Sequence, residues 1–335
     1  MSTQIIRDNH NEIVVGRFCK FNRVTNENAY SIKPINNQKL HINGTLAVKS
    51  AIFDYLLING EISTVQSIQD QSEGIKVSKL AVHGTANFTN KELDIDDFYS
   101  TGGITLINCR GRIKNLQCSG SIYIDETSNL QIDNLYNAGG GKISGTSKIL
   151  NAVSNSLTLS GNSRVENIQS SSNLQVTESA FVKNINIHSG GFTWSSDYIS
   201  ESATFIMQNG GGQYSGNMPD VDIFLNNFAL TFINSKVKSL KSKGEVGLTF
   251  AGNNEIDEIN SESPVVVIDN STNNLKSGKV SNLEIVEDEY PSEPFNQGLI
   301  EINENYIVGE MPNVNYIGVE SIIVDYKTEK EFFNN

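Results

Sequence analysis

Cysteine, proline and tryptophan are scarce in this chain, which has three Cys, six Pro and one Trp among 335 residues. Cys19, Cys109 and Cys118 are odd in number and match no zinc-ligand spacing. A disulfide framework and a structural zinc site are therefore excluded, and reduced, partly buried thiols are expected. Long apolar runs are also missing. Nothing approaches the ~18 to 20 uninterrupted apolar residues of a membrane-spanning helix, and even the cluster at 52–58 contains Asp54. The first twenty residues carry Arg7, Asp8 and Glu12 where a secretory signal needs an unbroken apolar stretch. The expectation is a protein without a transmembrane segment, cytoplasmic or exported by a signal-peptide-independent route. Basic residues are few: 25 Lys and Arg against 38 Asp and Glu give a net charge of −13, which argues against nucleic acid as a partner. Charge of either sign is low at 19%, whereas about one residue in eight is Asn, so the polar surface is largely amide and hydroxyl.

What the chain has in abundance is a short repeat. An aliphatic residue, two mostly polar residues and a second apolar residue recur as Val65-Gln-Ser-Ile68, Val77-Ser-Lys-Leu80, Ile95-Asp-Asp-Phe98, Ile113-Lys-Asn-Leu116, Ile132-Asp-Asn-Leu135, Leu150-Asn-Ala-Val153, Val165-Glu-Asn-Ile168 and Val182-Lys-Asn-Ile185. After a poorly matched stretch they return as Met218-Pro-Asp-Val221, Val237-Lys-Ser-Leu240, Ile256-Asp-Glu-Ile259 and Val280-Ser-Asn-Leu283. From position 77 the starts differ by 18, 18, 19, 18, 15 and 17, and from 218 by 19, 19 and 24. A second element, apolar at alternate positions and ending at Gly, reads Leu40-His-Ile42-Asn-Gly44, Leu56-Leu-Ile58-Asn-Gly60, Leu157-Thr-Leu159-Ser-Gly161 and Leu248-Thr-Phe250-Ala-Gly252. That alternation is strand patterning. Two strands per coil are readable, and a third is indicated where Leu80-Ala-Val82-His-Gly84 runs on.

Short repeated strands with Gly or Asn corners and no amphipathic helix between them define an all-β fold, a single-stranded parallel β-helix of about 18 residues per coil with terminal caps. A leucine-rich repeat needs ~20 to 29 residues and a convex segment for which these coils have no room. About fifteen coils are expected. Residues 1–31 read as an N-terminal cap, 32–285 as the β-helix, and 286–335 as an acidic linker, with two prolines near its start, followed by a C-terminal β cap. The run Lys327-Thr-Glu-Lys-Glu331 reads as a frayed helical turn. In the first unit the two apolar residues lie three apart and can both face inward only if the chain bends between them. Asn115, Asn134, Asn167, Asn184 and Asn282 occupy the third position. Asn tolerates a left-handed corner, and stacked Asn side chains form an amide ladder. Second-position charges, Asp96, Lys114 and Asp133, then Glu166 and Lys183, alternate in sign from coil to coil.

No catalytic constellation emerges. The run Asp94-Ile-Asp96-Asp97 lacks the glycine and spaced acids of a calcium loop. The glycine runs at 139–141 and 210–212 precede neither the aspartate of the calcium-binding nonapeptide nor the lysine of a phosphate loop. His10, His41, His83 and His188 have no metal-ligand spacing. No catalytic residue, metal or cofactor is assigned. Lys236, Lys238, Lys241 and Lys243 form a local basic run that reads as a solvated face. The stretch 189–214, where the repeat is least regular, holds Phe192, Trp194, Asp197, Tyr198 and Tyr214. Aromatics on a solenoid flank stack on sugars or anchor a protein, so these five are the candidate binding residues.

The coils Leu40-His-Ile42-Asn-Gly44 and Leu56-Leu-Ile58-Asn-Gly60, continued by Leu157-Thr-Leu159-Ser-Gly161, resemble those of bactofilins, polymer-forming bacterial cytoskeletal proteins with short-coil parallel β-helices. The resemblance covers roughly 32–285 and implies end-to-end assembly without a nucleotide, and scaffolding of other proteins. This chain has more coils than is usual there and a C-terminal segment beyond the repeat. The expected function is a non-enzymatic structural or interaction scaffold on a β-helical rod, with a protein partner or self-association. The alternatives are a β-helix that binds or processes polysaccharide, and a secreted bacterial effector or adhesin-like protein.

Overall fold

The computed structural model is a parallel β-solenoid with coils of about 18 residues. It describes residues 46–64, 74–198, 200–268, 273–286, 299–302 and 327–334, together with the backbone of strands Glu12–Val15, Cys19–Phe21, Tyr30–Pro34 and Lys39–Asn43. Glu12–Val15 pairs in parallel with Tyr30–Pro34, and Cys19–Phe21 with Lys39–Asn43. Coil-like pairing therefore begins inside the stretch expected to be a cap. Strand Leu299–Ile302 pairs in parallel with Ser277–Val280, which carries the stacking past residue 285. The chain divides into two compact units, 1–154 with 324–335, and 155–323.

In the first unit each coil has three walls. Strand Glu92–Ser100 supplies two of them and strand Ile104–Ile107 the third. Leu93 and Ile95 face inward on the first wall, Phe98 and Ser100 on the second, and Ile104 and Leu106 on the third. The bend between Ile95 and Phe98 is where the aliphatic-x-x-apolar spacing requires it. Pairing with Arg110–Cys118 skips Asp96 and Lys114 there and resumes at Asp97 and Asn115. Side chains stack on their equivalents from coil to coil: Phe53, Val77, Ile95, Ile113 and Ile132 form one such column, Leu56, Leu80, Phe98, Leu116 and Leu135 another. All of these are buried, and each fully buried aliphatic or aromatic side chain is worth about 1.5–3 kcal/mol of transfer free energy.

A polar column runs inside the corner between the second and third walls. The chain turns there at glycine, leaving carbonyls outside the strand ladders, and buried side chains donate to them. Ser100 Oγ donates to the Gly84 carbonyl at 3.1 Å, Cys118 Sγ to that of Gly102 at 3.1 Å, and Asn137 Nδ2 to that of Gly120 at 3.0 Å. Cys118 is thus a turn-satisfying donor, and Cys109 Sγ likewise donates to the Phe88 carbonyl at 3.4 Å. Burial pushes both thiols up to about 11, so they are poor nucleophiles at neutral pH. The turn glycines stack directly on one another's backbone. A Cβ on Gly102 would lie 2.2 Å from the Gly84 carbonyl oxygen, and one on Gly139 2.5 Å from that of Gly120. The glycine run at 139–141 is a corner of this stack.

The asparagines at the bend bond from coil to coil. Asn115 Nδ2 donates to Asp97 Oδ1 at 2.8 Å, Asn134 to Asn115 at 2.9 Å and Asn151 to Asn134 at 3.0 Å, while in the second unit Asn184 donates to Asn167 at 2.8 Å. Each bond contributes about 0.5–1.5 kcal/mol net. None of these residues has a positive φ, so the left-handed rationale expected for them is wrong. Left-handed asparagines occupy other corners: Asn90 and Asn108 (φ 56° and 49°) end the third wall of successive coils, joined by a 2.7 Å bond between their amides. Asn282 belongs to neither set, because strand Ser277–Val280 places Gly278 opposite Ile259 and Val280 opposite Ser261. The true counterpart of Ile256 is Leu275, 19 residues on, and the step of 24 reflects a wrong register. At the other end, Val77 and Leu80 pair with Phe53 and Leu56, whereas the expected unit Val65 to Ile68 lies outside the described residues. Of the alternating charges, Lys183 Nζ meets Glu166 at 3.1 Å, but Asp133 is taken by Arg112. Such exposed pairs are worth about 0–1 kcal/mol.

The second unit widens along its length. Ile185 pairs with Phe205 and Phe205 with Ile223, while Ala203 pairs with Val221 and Val221 with Leu240. The second wall gains an inward position there, seen as Val221, Ile223 and Leu225. The missing copy of the repeat is Ser200-Glu-Ser-Ala203, whose Ser202 Oγ donates to Asp220 at 2.9 Å. Its small polar residues hide it from an aliphatic search. The wider interior is filled by aromatics, and Gly212, opposite Phe192 and Leu230, leaves room for them.

Candidate functional site

The residues expected to form an exposed aromatic platform are mostly interior. Phe192, Trp194 and Tyr214 are buried on the third wall of the second unit. Strand Gly190–Ser196 pairs with strand Leu174–Glu178, placing Phe192 on Leu174 and Trp194 on Val176, and with strand Ala203–Tyr214 on its other side, so these two strands of the expected irregular insertion belong to the stack. Trp194, Tyr214, Phe232 and Phe250 make a continuous internal ladder with successive ring centroids 6.0, 5.0 and 5.1 Å apart. Burial drives the Tyr214 phenol far above its ordinary pKa. These rings cannot meet a sugar or a protein from outside. Asp197 and Tyr198 do lie nearer the surface. Asp197 Oδ1 accepts from Ser179 at 2.8 Å, and Tyr198 sits between the Arg164 guanidinium, 3.8 Å from its ring centre, and Phe181 at 4.8 Å, its hydroxyl donating to Glu201 at 2.8 Å. They are two surface residues with local partners, separated from the three buried rings. Lys236 and Lys243 of the basic run pair with Glu255 and Glu262 at 3.1 and 3.6 Å.

The surface that gathers functional side chains is on the first unit, outside the second wall. Positions there that alternate with the core should be polar, yet Leu57, Ala81 and Tyr99 are aligned across neighbouring strands, followed by Gln117. Ala81 is 0%, Tyr99 5% and Gln117 1% exposed, so this outer strip is covered. Its cover is a single-turn helix, Glu329–Phe333, with a capping box in which the Glu331 backbone donates to the Thr328 hydroxyl and the Thr328 backbone to the Glu331 carboxylate. The two side-chain exchanges satisfy donors that so short a helix would leave orphaned. The last turn presents Phe332 and Phe333. Tyr99 packs against both at centroid distances of 5.8 and 6.3 Å, and Tyr55 meets Phe333 edge-on at 5.6 Å.

Polar contacts fix the direction of the segment. Gln117 reads the Lys327 backbone with both ends of its amide: Oε1 accepts from the Lys327 N–H at 2.9 Å and Nε2 donates to its carbonyl. Glu329 is shared between the Tyr55 hydroxyl at 3.0 Å and His83 Nε2 at 2.6 Å. Lys79 donates to the Phe333 carbonyl, with its ammonium 5.9 Å from the Phe333 ring centre. Burial, then the neighbouring Glu329 charge, pushes Tyr55 up to about 12, so its hydroxyl keeps its proton and remains a donor throughout the neutral range. A cleft continues beside the helix between Asp54, Ser78 and Lys79 on one side and Thr328, Lys330 and Asn334 on the other.

This strip was not among the sequence candidates. Its signal is present in the strands: Leu56-Leu-Ile58 and Leu80-Ala-Val82 are apolar at three consecutive positions, and Phe98-Tyr99 at two, where a strand with one face in water alternates. Among the described residues no cluster of His, Cys, Asp and Glu could hold a metal ion, and no helix is long and apolar enough to cross a membrane. No family model, curated protein or solved structure matches the chain.

Proposed function

We propose that this protein is a non-enzymatic interaction scaffold, a β-solenoid whose outer second wall binds a short peptide segment and which also self-associates. The observation that carries the reading is the seating of residues 327–334: two adjacent aromatics on an apolar strip, an acid between a phenol and an imidazole, and a backbone read by Gln117. These are the contacts of peptide recognition, with aromatic anchors inside a polar rim. The resemblance to the coil grammar of bactofilins agrees with a scaffold and supports no particular partner.

An array of twelve-residue peptides, probed with the full chain carrying Phe332→Ala and Phe333→Ala to vacate the strip, tests this. Peptides with two adjacent aromatics downstream of an acid are expected to retain the protein, and a further Tyr99→Ser substitution is expected to abolish retention. Retention without sequence preference, or retention unaffected by Tyr99→Ser, contradicts the reading. So does a hydrolase or lyase activity that a single acidic substitution removes.

A further inference from the structure

Every copy of the chain carries the segment that the strip binds. We propose that residues 327–334 of a second copy take the place of the chain's own, so that two molecules exchange segments and close into a reciprocal dimer at high protein concentration. This rests on the reading of the strip as a peptide-binding face and names its occupant.

The strip reads the segment through side chains at one surface, and the segment is joined to the last described strand, Leu299–Ile302, through residues 303–326. The aromatic contacts with Tyr55 and Tyr99, the two bonds of Gln117 and the sharing of Glu329 can all be made by a segment of identical sequence from another molecule. Exchange of an identical element loses no contact, so the two arrangements differ mainly in how the segment is delivered. Delivery of the segment from a second copy is bimolecular whereas delivery from the same chain is not, so exchange gains with protein concentration. Charge sets a second condition. At −13 each copy repels the other, whereas the seat itself is locally complementary, with the Lys79 ammonium on the Phe333 carbonyl at the helix end. Salt screens the long-range repulsion between copies more than the contacts under the helix. Two reciprocal seats close the assembly, so it stops at two molecules.

Light scattering on the full chain, from micromolar to near-millimolar protein at low and high salt, reads the exchange directly. The mass is expected to rise from 36.8 kDa toward twice that value with concentration, more readily at high salt, and Phe332→Ala with Phe333→Ala is expected to hold it at 36.8 kDa. Fluorescence anisotropy of a labelled synthetic peptide of residues 324–335 supplies the second arm: it should bind the double variant, and not the double variant that also carries Tyr99→Ser. Both aromatics lie outside the solenoid walls, and circular dichroism of each variant confirms that the strands are retained. A constant wild-type mass, or equal association by the double variant, overturns the proposal, the latter placing the contact elsewhere on the molecule. If array peptides bind the vacated strip and the chain's own peptide does not, the exchange fails while the scaffold reading stands. If no peptide binds, both fail.

Discussion

Replacing Trp194 by alanine is expected to destabilise the second unit by about 3–5 kcal/mol, the cost of removing a large ring from a packed interior. Trp194 is 0% exposed and touches Tyr214, Phe205, Phe192 and Phe181 at centroid distances of 6.0, 5.6, 6.4 and 6.1 Å. No neighbour can fill the hole without breaking the side-chain columns on which the adjacent coils stack. Trp194→Phe should cost much less, because the indole nitrogen has no hydrogen-bond partner among the described residues and a phenyl ring keeps the ladder continuous. Urea unfolding followed by far-ultraviolet circular dichroism measures both. Coils contact chiefly their neighbours, so the alanine variant should show an early transition confined to part of the structure. An exposed aromatic platform would behave oppositely, with stability unchanged and any polysaccharide binding lost.

Gly111→Ala is expected to be as damaging in the first unit. Gly111 sits between Leu93 and Leu130 in a column where its neighbours carry large side chains, so an apolar residue would fit the sequence pattern. Its backbone forbids one. With φ at +113° and a would-be Cβ 2.1 Å from the Leu93 carbonyl oxygen, even a methyl group must push apart two coils or rotate the peptide out of its ladder. Strain in that conformation alone is worth about 1–3 kcal/mol, and the lost strand bonds add to it, so the total is expected to exceed about 3 kcal/mol. Gly103→Ala is the matched control, since its Cβ would meet only the Ser121 carbonyl oxygen at 3.3 Å. Thermal unfolding of the two variants should separate them clearly. Equal transition temperatures would show that the coil spacing is looser than the strand register implies.

The solenoid itself was legible because its physics repeats. An inward residue must recur once per coil, the bend between two inward residues needs two intervening positions, and those constraints appear in the chain as Ile95-Asp-Asp-Phe98 and its copies. Register was lost where residues satisfy the geometry without looking apolar. Ser200-Glu-Ser-Ala203, in register with Met218-Pro-Asp-Val221 through Ala203, has a single small apolar residue, and Leu275-Lys-Ser-Gly278 lacks a second apolar residue. Aromatic content at Trp194 marks the interior and not a surface platform, because Leu174-Gln-Val176 and Phe192-Thr-Trp194 stand 18 residues apart in the same alternation. Leu40-His-Ile42 and Leu56-Leu-Ile58 belong to the second wall, whereas Leu157-Thr-Leu159 and Leu248-Thr-Phe250 belong to the third, so one apparent motif merges two different strands. The docking of Glu329–Phe333 was beyond periodicity altogether. It joins residues 246 to 274 positions apart, as in the contacts of Glu329 with His83 and Tyr55, and only the consecutive apolar residues at 56–58 and 80–82 betray that their outer side is covered.

The outer second wall holds residues 327–334 through side chains. Hydrogen–deuterium exchange on the full-length wild type and on Tyr99→Ser tests it most directly, because Tyr99 points away from the solenoid interior and its loss leaves the strand ladders intact. In the wild type the amides of Lys327 and Phe332, bonded to Gln117 and to the Thr328 carbonyl, should exchange slowly. In Tyr99→Ser they should exchange at the rate of an unstructured segment, while strand Glu92–Ser100 keeps its protection. Equal exchange of 327–334 in the two proteins would contradict recognition by this face.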